Sequence, residues 1–331
     1  MWSGARAVLA LALLLPASAA AQQAYQPPRH IAAPPLLAEG SPLDILVRAD
    51  AGMQIERDRS PAAELDEHRK LDRALGALAP QRPGIVDAYV VAIALDSDPV
   101  FGREARAAGD VLRRRYGAAG RTIVLAGSDG AAPSALPRGT PGTLAVTLAR
   151  IAELMDRRED AIILFTTSHG APFGLYYHDG DQGYGAISPN RLRLMLDQLG
   201  LGNRLVILSA CHSGVFVEPL RSETSAVVTA SSADRPSFGC VADNDWTFFG
   251  DAMINRALRR HQPLAAAFAE ADALVAAWEA RLGVPASQPR FSVGAAAARW
   301  LGALERRMPT AVTQPVGRPA VETTGAALAP R

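Results

Sequence analysis

Residues 160–170 read DAIILFTTSHG, and residues 203–214 read NRLVILSACHSG. Each opens on polar residues, runs through an apolar and partly β-branched stretch, and stops at small residues flanking a side chain capable of chemistry. Such runs mark strands buried on both faces, as in a parallel sheet. His169 ends one such strand and Cys211 ends the next. A crossover of one excursion and one helix separates them, and a crossover returns the chain to a neighbouring strand. Ligands of open α/β sheets bind beyond the carboxyl ends of the strands, so the two tips are expected side by side at a site.

Outward from this pair the chain alternates. A buried strand is expected at Ile85–Leu95, with further strands at Thr122–Ala126 and Ser225–Ala230 and a short one at Arg290–Val293. Helices are expected from Ser60-Pro61 to about Leu78, over Glu104–Tyr116 and Gly142–Met155, and from an Asn190 cap to Gly200. Two more fill Trp246–Arg260 and Pro263–Leu282, and a last one runs to about Met308. Residues 171–186 read as a glycine-rich, aromatic excursion. Strands alternating with helices predict an α/β fold, a mainly parallel sheet covered on both faces.

The ends differ in character. Arg6, the apolar run Ala7–Ala17 and Ala19-Ala20-Ala21 have the order of a secretory signal peptide, expected to occupy residues 1–21. The run is too short to span a bilayer, so no stable membrane insertion is expected after cleavage, and the mature chain should be exported, periplasmic or secreted. Residues 22–59 read as a linker or loosely packed arm, 60–308 as one domain, and 309–331 as a disordered tail.

Composition narrows the chemistry. The formal charge is +1 with scattered basic residues, so nucleic acid is not an expected partner. Lys70 is the only lysine, which removes Ser–Lys and Schiff-base schemes that need a buried second one. The only cysteines are Cys211 and Cys240. In an oxidising compartment such a pair is first suspected of being a disulfide, which would silence Cys211, yet a domain of this size needs no staple. Cys240 is read instead as a buried small hydrophobe. His178, Asp179 and Asp181 invite a metal reading, but they lack the calcium-loop pattern and a second histidine at helical spacing. They are read as a substrate-facing loop, and no metal or cofactor is expected. His30, His68 and His261 are read as solvated, His212 as structural, and Asp243 and Asp245 as favouring the positive end of a helix dipole at Trp246.

A thiol near neutrality becomes a competent nucleophile with help from an imidazole, which His169 would give Cys211. Gly170 lets its backbone N–H approach a bound carbonyl, and the Cys211 N–H can point at the same oxygen. Two such donors form an oxyanion hole, whose loss costs on the order of 10²–10³ in rate. Ser213 and Gly214 permit a sharp turn past the nucleophile.

DAIILFTTSHG and RLVILSACHSG resemble the His-Gly and Ala-Cys-x-Ser-Gly strand ends of the legumain family of cysteine peptidases. FGREARAAGDVLRRRYGAAGRTIVL, SGVFVEPL, TASSADRPSFGC and DWTFFGDA resemble segments of its bacterial branch, in the same order, over roughly residues 60–307. The resemblance implies a caspase-like, three-layer α/β/α sandwich. It implies a cysteine endopeptidase acting on a peptide or protein through His169 and Cys211, with Gly170 and Cys211 as oxyanion donors. It also places a substrate pocket at three points: Asp96, Asp98 and Arg103; Ser209; and Ser231, Ser232, Asp234 and Arg235. Legumain-type enzymes carry an acidic residue where this chain has Ser209, so an asparagine preference does not carry over. A transpeptidase or transamidase using the same pair, and a non-catalytic envelope binding module, are the alternatives.

Overall fold

The computed structural model describes residues 39–127 and 134–328, together with Met1, His30, Pro34, Pro35 and Leu37. The expected signal peptide lies almost wholly outside the described residues. In chain order the elements are α1 (Pro42–Asp50), β1 (Gln54–Glu56), α2 (Pro61–Gly76), β2 (Ala88–Ala94), α3 (Pro99–Arg115), β3 (Thr122–Leu125) and α4 (Pro141–Leu154). Then come β4 (Ala161–Thr167), β5 (Gly170–Ala171), β6 (Gly174–Asp179), β7 (Gly183–Ile187), α5 (Pro189–Gln198), β8 (Arg204–Ser209), α6 (Val217–Leu220) and β9 (Ser225–Thr229). The chain closes with α7 (Leu264–Leu282), β10 (Arg290–Val293), α8 (Ala297–Glu305) and α9 (Ala320–Leu328).

Among the described residues, one sheet has the order β10-β9-β8-β4-β2-β3. It is parallel except for β10, which runs antiparallel to β9. Because side chains alternate along a strand, each central strand feeds two cores. Val90, Ala92, Ile163, Phe165, Leu205 and Ile207 pack with α3, α7 and α8 through Leu112, Leu264 and Trp300. Val91, Ile93, Ile162, Leu164, Val206 and Leu208 pack on the opposite face with Leu144, Leu148, Ile151 of α4 and Leu192, Leu196 of α5. The expected three-layer α/β/α sandwich is present. The doubly buried strands leave no polar face, which explains their unbroken apolar character.

Several expectations need correction. The excursion at 171–186 is not a loop: β6 and β7 form a hairpin, and with β1 and β5 they make a second, antiparallel sheet. The segment read as a linker therefore contributes a strand, preceded by α1, whose Ser41 and Asp44 form a reciprocal capping box. Arg59 fixes the junction by donating to Asp179 at 2.6 Å. The cap of α5 is Ser188, not Asn190, with Pro189 at the first helical position.

The helix expected over Trp246–Arg260 is irregular, with a π-helical stretch at Gly250–Arg256 and a 3₁₀ turn at Ala257–Arg259. Asp245 does not serve its dipole but pairs with Arg318 at 3.0 Å. That contact belongs to the segment expected to be a disordered tail. Trp246 Nε1 donates to the Val316 carbonyl at 2.8 Å, and Ala320 N donates to the buried Asp251 carboxylate at 2.9 Å. Small and polar residues there have little surface to bury, but they satisfy buried polar groups of the domain, and that is what orders them.

Candidate active site

Strand order alone sets the neighbours. β4 lies between β8 and β2, so the residues after β4 meet the ends of both. Cys211 follows β8, His169 follows β4, and Asp96 and Asp98 follow β2. The β4–β8 ladder extends past the strands, with Ser168 N donating to the Ser209 carbonyl at 3.2 Å. At the next step Gly170 packs so tightly that a Cβ would collide with the Cys211 carbonyl oxygen and meet the Ala210 Cβ at 3.0 Å. Only glycine fits. The His169 carbonyl accepts from Tyr176 N at 3.0 Å. Alternation in an antiparallel pair then turns the Gly170 amide away from β6.

Both cysteines are free thiols. Cys211 Sγ accepts from Ser237 N at 3.2 Å and lies 3.4 Å from the Ser237 carbonyl oxygen. The facing Cys240 thiol, opposed by burial, and then the Ser237 amide and hydroxyl and the His169 charge bring the Cys211 thiol well below its ordinary range. Cys240 shifts the other way, pushed up by its partner thiol and by burial. It is partly buried and packs against the cluster that includes Val100 and Phe101.

His169 sits edge-on to the Phe101 ring, centroids 5.0 Å apart. Its Nε2 lies 3.6 Å from Asp98 Oδ2. Burial disfavours the imidazolium, but Asp98, Asp96 and the Cys211 thiolate outweigh it and raise the His169 pKa. Asp98 occupies the N-cap of α3, yet its side chain makes no cap hydrogen bond. An aspartate there ordinarily accepts from the first-turn amides. Here the carboxylate faces His169 and His30, and their charges hold its pKa low against burial.

The turn after Cys211 places its left-handed residue at His212, φ 55°, rather than at a glycine. His212 N donates to the Arg235 carbonyl at 2.9 Å, and its Nδ1 lies 3.0 Å from the Ala233 carbonyl, so the ring is held away from the thiol. Gly214 is required for closeness instead, since a Cβ would run into the Ser232–Ala233 backbone.

The expected pocket residues scatter. Arg103 donates to the Ala242 carbonyl at 2.7 Å and to that of Asn244, tying α3 to the loop above it. The Ser209 hydroxyl, buried, lies 3.1 Å from Thr247 Oγ1. Ser231 is buried and exchanges hydrogen bonds with Ser213 across the turn. Ser232 donates to Asp234 at 2.7 Å, leaving Asp234 exposed and Ser232 engaged. The hydroxyls of Ser209 and Ser231 are thus engaged with Thr247 and with the turn after Cys211.

Three residues escaped the sequence reading. Ser237 touches the thiol from a loop that no periodicity flags. Glu104, fully buried, accepts from Thr247 N at 2.9 Å under the strand ends, and burial raises its pKa. His30 was read as solvated; its Nε2 lies 3.4 Å from Asp96 and its Nδ1 3.7 Å from Asp98. The one signal available for Glu104 was its place on the apolar face of α3, between Phe101 and Ala108.

No curated protein sequence matches the chain. Among solved structures, caspase-1 from Spodoptera frugiperda aligns at 13% identity and a TM-score of 0.43, over 63% of this chain and 86% of its own. The model of the Peptidase C13 family matches residues 143–297, a span holding both His169 and Cys211. Through this span, just under half of its length, the chain is similar to the Peptidase C13 family, the legumain-type cysteine peptidases.

Proposed function

We propose that the chain is an exported endopeptidase that cleaves peptide bonds with Cys211 as nucleophile and His169 as proton carrier. The observation that carries this reading is the junction of two parallel strand ends, where Gly170 packs on the Cys211 carbonyl and His169 and Cys211 follow adjacent strands at one edge of the sheet. In the proposed cycle the Cys211 thiolate attacks the scissile carbonyl carbon, and the amides of Gly170 and Cys211 receive the oxyanion. His169 gives its proton to the leaving amine as the C–N bond breaks, which leaves a thioester. Water attacks the thioester, His169 takes its proton, and the acid departs with the thiolate restored. Asp98 acts through His169 by fixing the ring and favouring its charged form, and Ser237 N stabilises the thiolate.

The test is cleavage of a peptide library by the purified chain, with product masses read with and without an added amine. New carboxyl termini made by the wild type and absent with Cys211→Ala support the reading. Products from the wild type that are all amides would make it a transferase, and equal cleavage by Cys211→Ala would overturn the assignment of the nucleophile.

A further inference from the structure

Next to His169 the chain gathers more histidine and aspartate than a thiol–imidazole pair needs. β6 extends past its sheet to pair with the end of β2: His178 N donates to the Leu95 carbonyl and Ser97 N to the His178 carbonyl, both at 3.0 Å. Asp96 and His178 thereby become cross-strand partners. The His30 ring lies on His178, centroids 3.6 Å apart and planes 9° from parallel. One ligand atom from each of His30, Asp96 and His178 lies within 4.8 Å of the others.

Two of these groups are buried and unspent. The Asp96 side chain has no exposed surface and His178 is 7% exposed, yet Asp96 Oδ2 and His178 Nε2 have no hydrogen-bond partner among the described residues. Buried polar atoms are ordinarily paired, and each orphan costs about 1–3 kcal/mol. A cation held by the three groups would draw on this unspent capacity.

We propose that His30, Asp96 and His178 bind a divalent transition-metal cation of the zinc class. Two imidazoles and one carboxylate suit a borderline ion that takes nitrogen and oxygen donors, whereas magnesium and calcium prefer all-oxygen sets. Donors about 2.1 Å from a tetrahedral ion stand roughly 3.4 Å apart. His30 Nε2 and Asp96 Oδ1 already have that spacing, 3.4 Å. His178 is held by its strand pairing, so His30, whose side chain is 19% exposed, is the ring that tilts to bring both imidazole planes through one ion. Three protein donors leave a fourth position for water.

The outer sphere has the expected form as well. A metal-bound histidine usually directs its second ring nitrogen to a carboxylate. His30 Nδ1 lies 3.7 Å from Asp98 Oδ1, and the other oxygen of that carboxylate lies 3.6 Å from His169. Asp98 N also donates to Asp96 Oδ1 at 2.9 Å. An ion here would pin His30 onto the β2–α3 turn. The site stands whether or not Cys211 is the nucleophile.

The experiment is titration of the tag-free chain carrying Cys211→Ala and Cys240→Ala, so that no thiol competes, with Zn²⁺ by calorimetry and Co²⁺ by visible absorption. One ion per chain and a tetrahedral Co²⁺ spectrum are expected. His178→Ala and the gentler His178→Gln should each weaken binding by more than the roughly 10–100-fold that outer-sphere changes cost, and Asp96→Asn likewise, with circular dichroism confirming the fold. His169→Ala and His68→Ala in the same background should bind as before. No binding by the thiol-free chain, undiminished binding by both folded His178 variants, or loss with His169→Ala alone would overturn the site.

Discussion

The α-carbon of Gly170 rests on the backbone carbonyl of Cys211, with no room for a single additional carbon. That contact packs the residue after His169 against the Cys211 backbone, beyond the paired ends of β4 and β8. Gly170→Ala must push the strands apart at this point, and overpacking of that kind costs about 1–3 kcal/mol. The expected result is a folded protein, by circular dichroism, whose Cys211 reacts with a peptide-based electrophile at least about tenfold more slowly.

Asp98 forgoes its helix cap to face His169. Asp98→Asn keeps the shape and removes the charge, so the His169 imidazolium loses a raising contribution and its pKa falls. Positioned acid–base groups contribute about 10²–10⁴ in rate, and a group acting through one should cost about tenfold or more in kcat/KM. The alkaline limb of the pH–rate profile, set by loss of the imidazolium proton, distinguishes this from a structural effect: it should move to lower pH.

Much of this arrangement is legible in the sequence, for a physical reason. β2, β4 and β8 are buried on both faces, so their apolar runs are unbroken, and a parallel sheet brings their reactive ends to one edge. The β6–β7 hairpin was not legible because Gly174, Gly183 and Gly185 interrupt the usual alternation. Gly183 and Gly185 are there because Tyr177 and the Met53–Gln54 backbone occupy the space a side chain would take. His30, Ser237 and the 309–325 segment act through scattered long-range contacts, and such contacts leave no periodic trace. The π-helical stretch was also hidden; it opens at Gly250, where a Cβ would strike the Glu104 carboxylate.

Glu104 offers a test of the layer beneath the site. Glu104→Ala strands the Thr247 amide and opens a cavity, for an expected loss of about 2–4 kcal/mol. Glu104→Gln keeps an acceptor for that amide and should lose much less. Urea midpoints of the two variants check the ordering.

Truncation after Met308 tests the corrected reading of the carboxyl-terminal segment. Trp246 Nε1 and Asn255 Nδ2 both lose the Val316 carbonyl, and Asp251 loses the Ala320 amide. With buried orphans costing about 1–3 kcal/mol each, stability should fall by at least about 2 kcal/mol, read as a lower urea midpoint with unchanged slope.

The depressed Cys211 pKa gives a signed expectation. A thiol whose pKa is lowered in the fold stays ionised as the pH falls below the ordinary thiol value of about 8.5. Its alkylation by iodoacetamide should change little between pH 8.5 and 7, where an ordinary thiol slows roughly 15-fold, and should decline only as the pH passes below the folded value. Cys240→Ala removes the largest lowering contact and should shift the decline to higher pH.

The pairing of Cys211 with His169 is tested most directly by the second-order rate of labelling with a thiol-directed peptide electrophile, located by peptide mass mapping. Wild type should be labelled at Cys211 alone, Cys211→Ala should not be labelled, and folded His169→Ala should be slower by about 10² or more. Labelling of His169→Ala at the wild-type rate, or a Cys211–Cys240 disulfide in the non-reduced mass of the mature chain, would contradict the account.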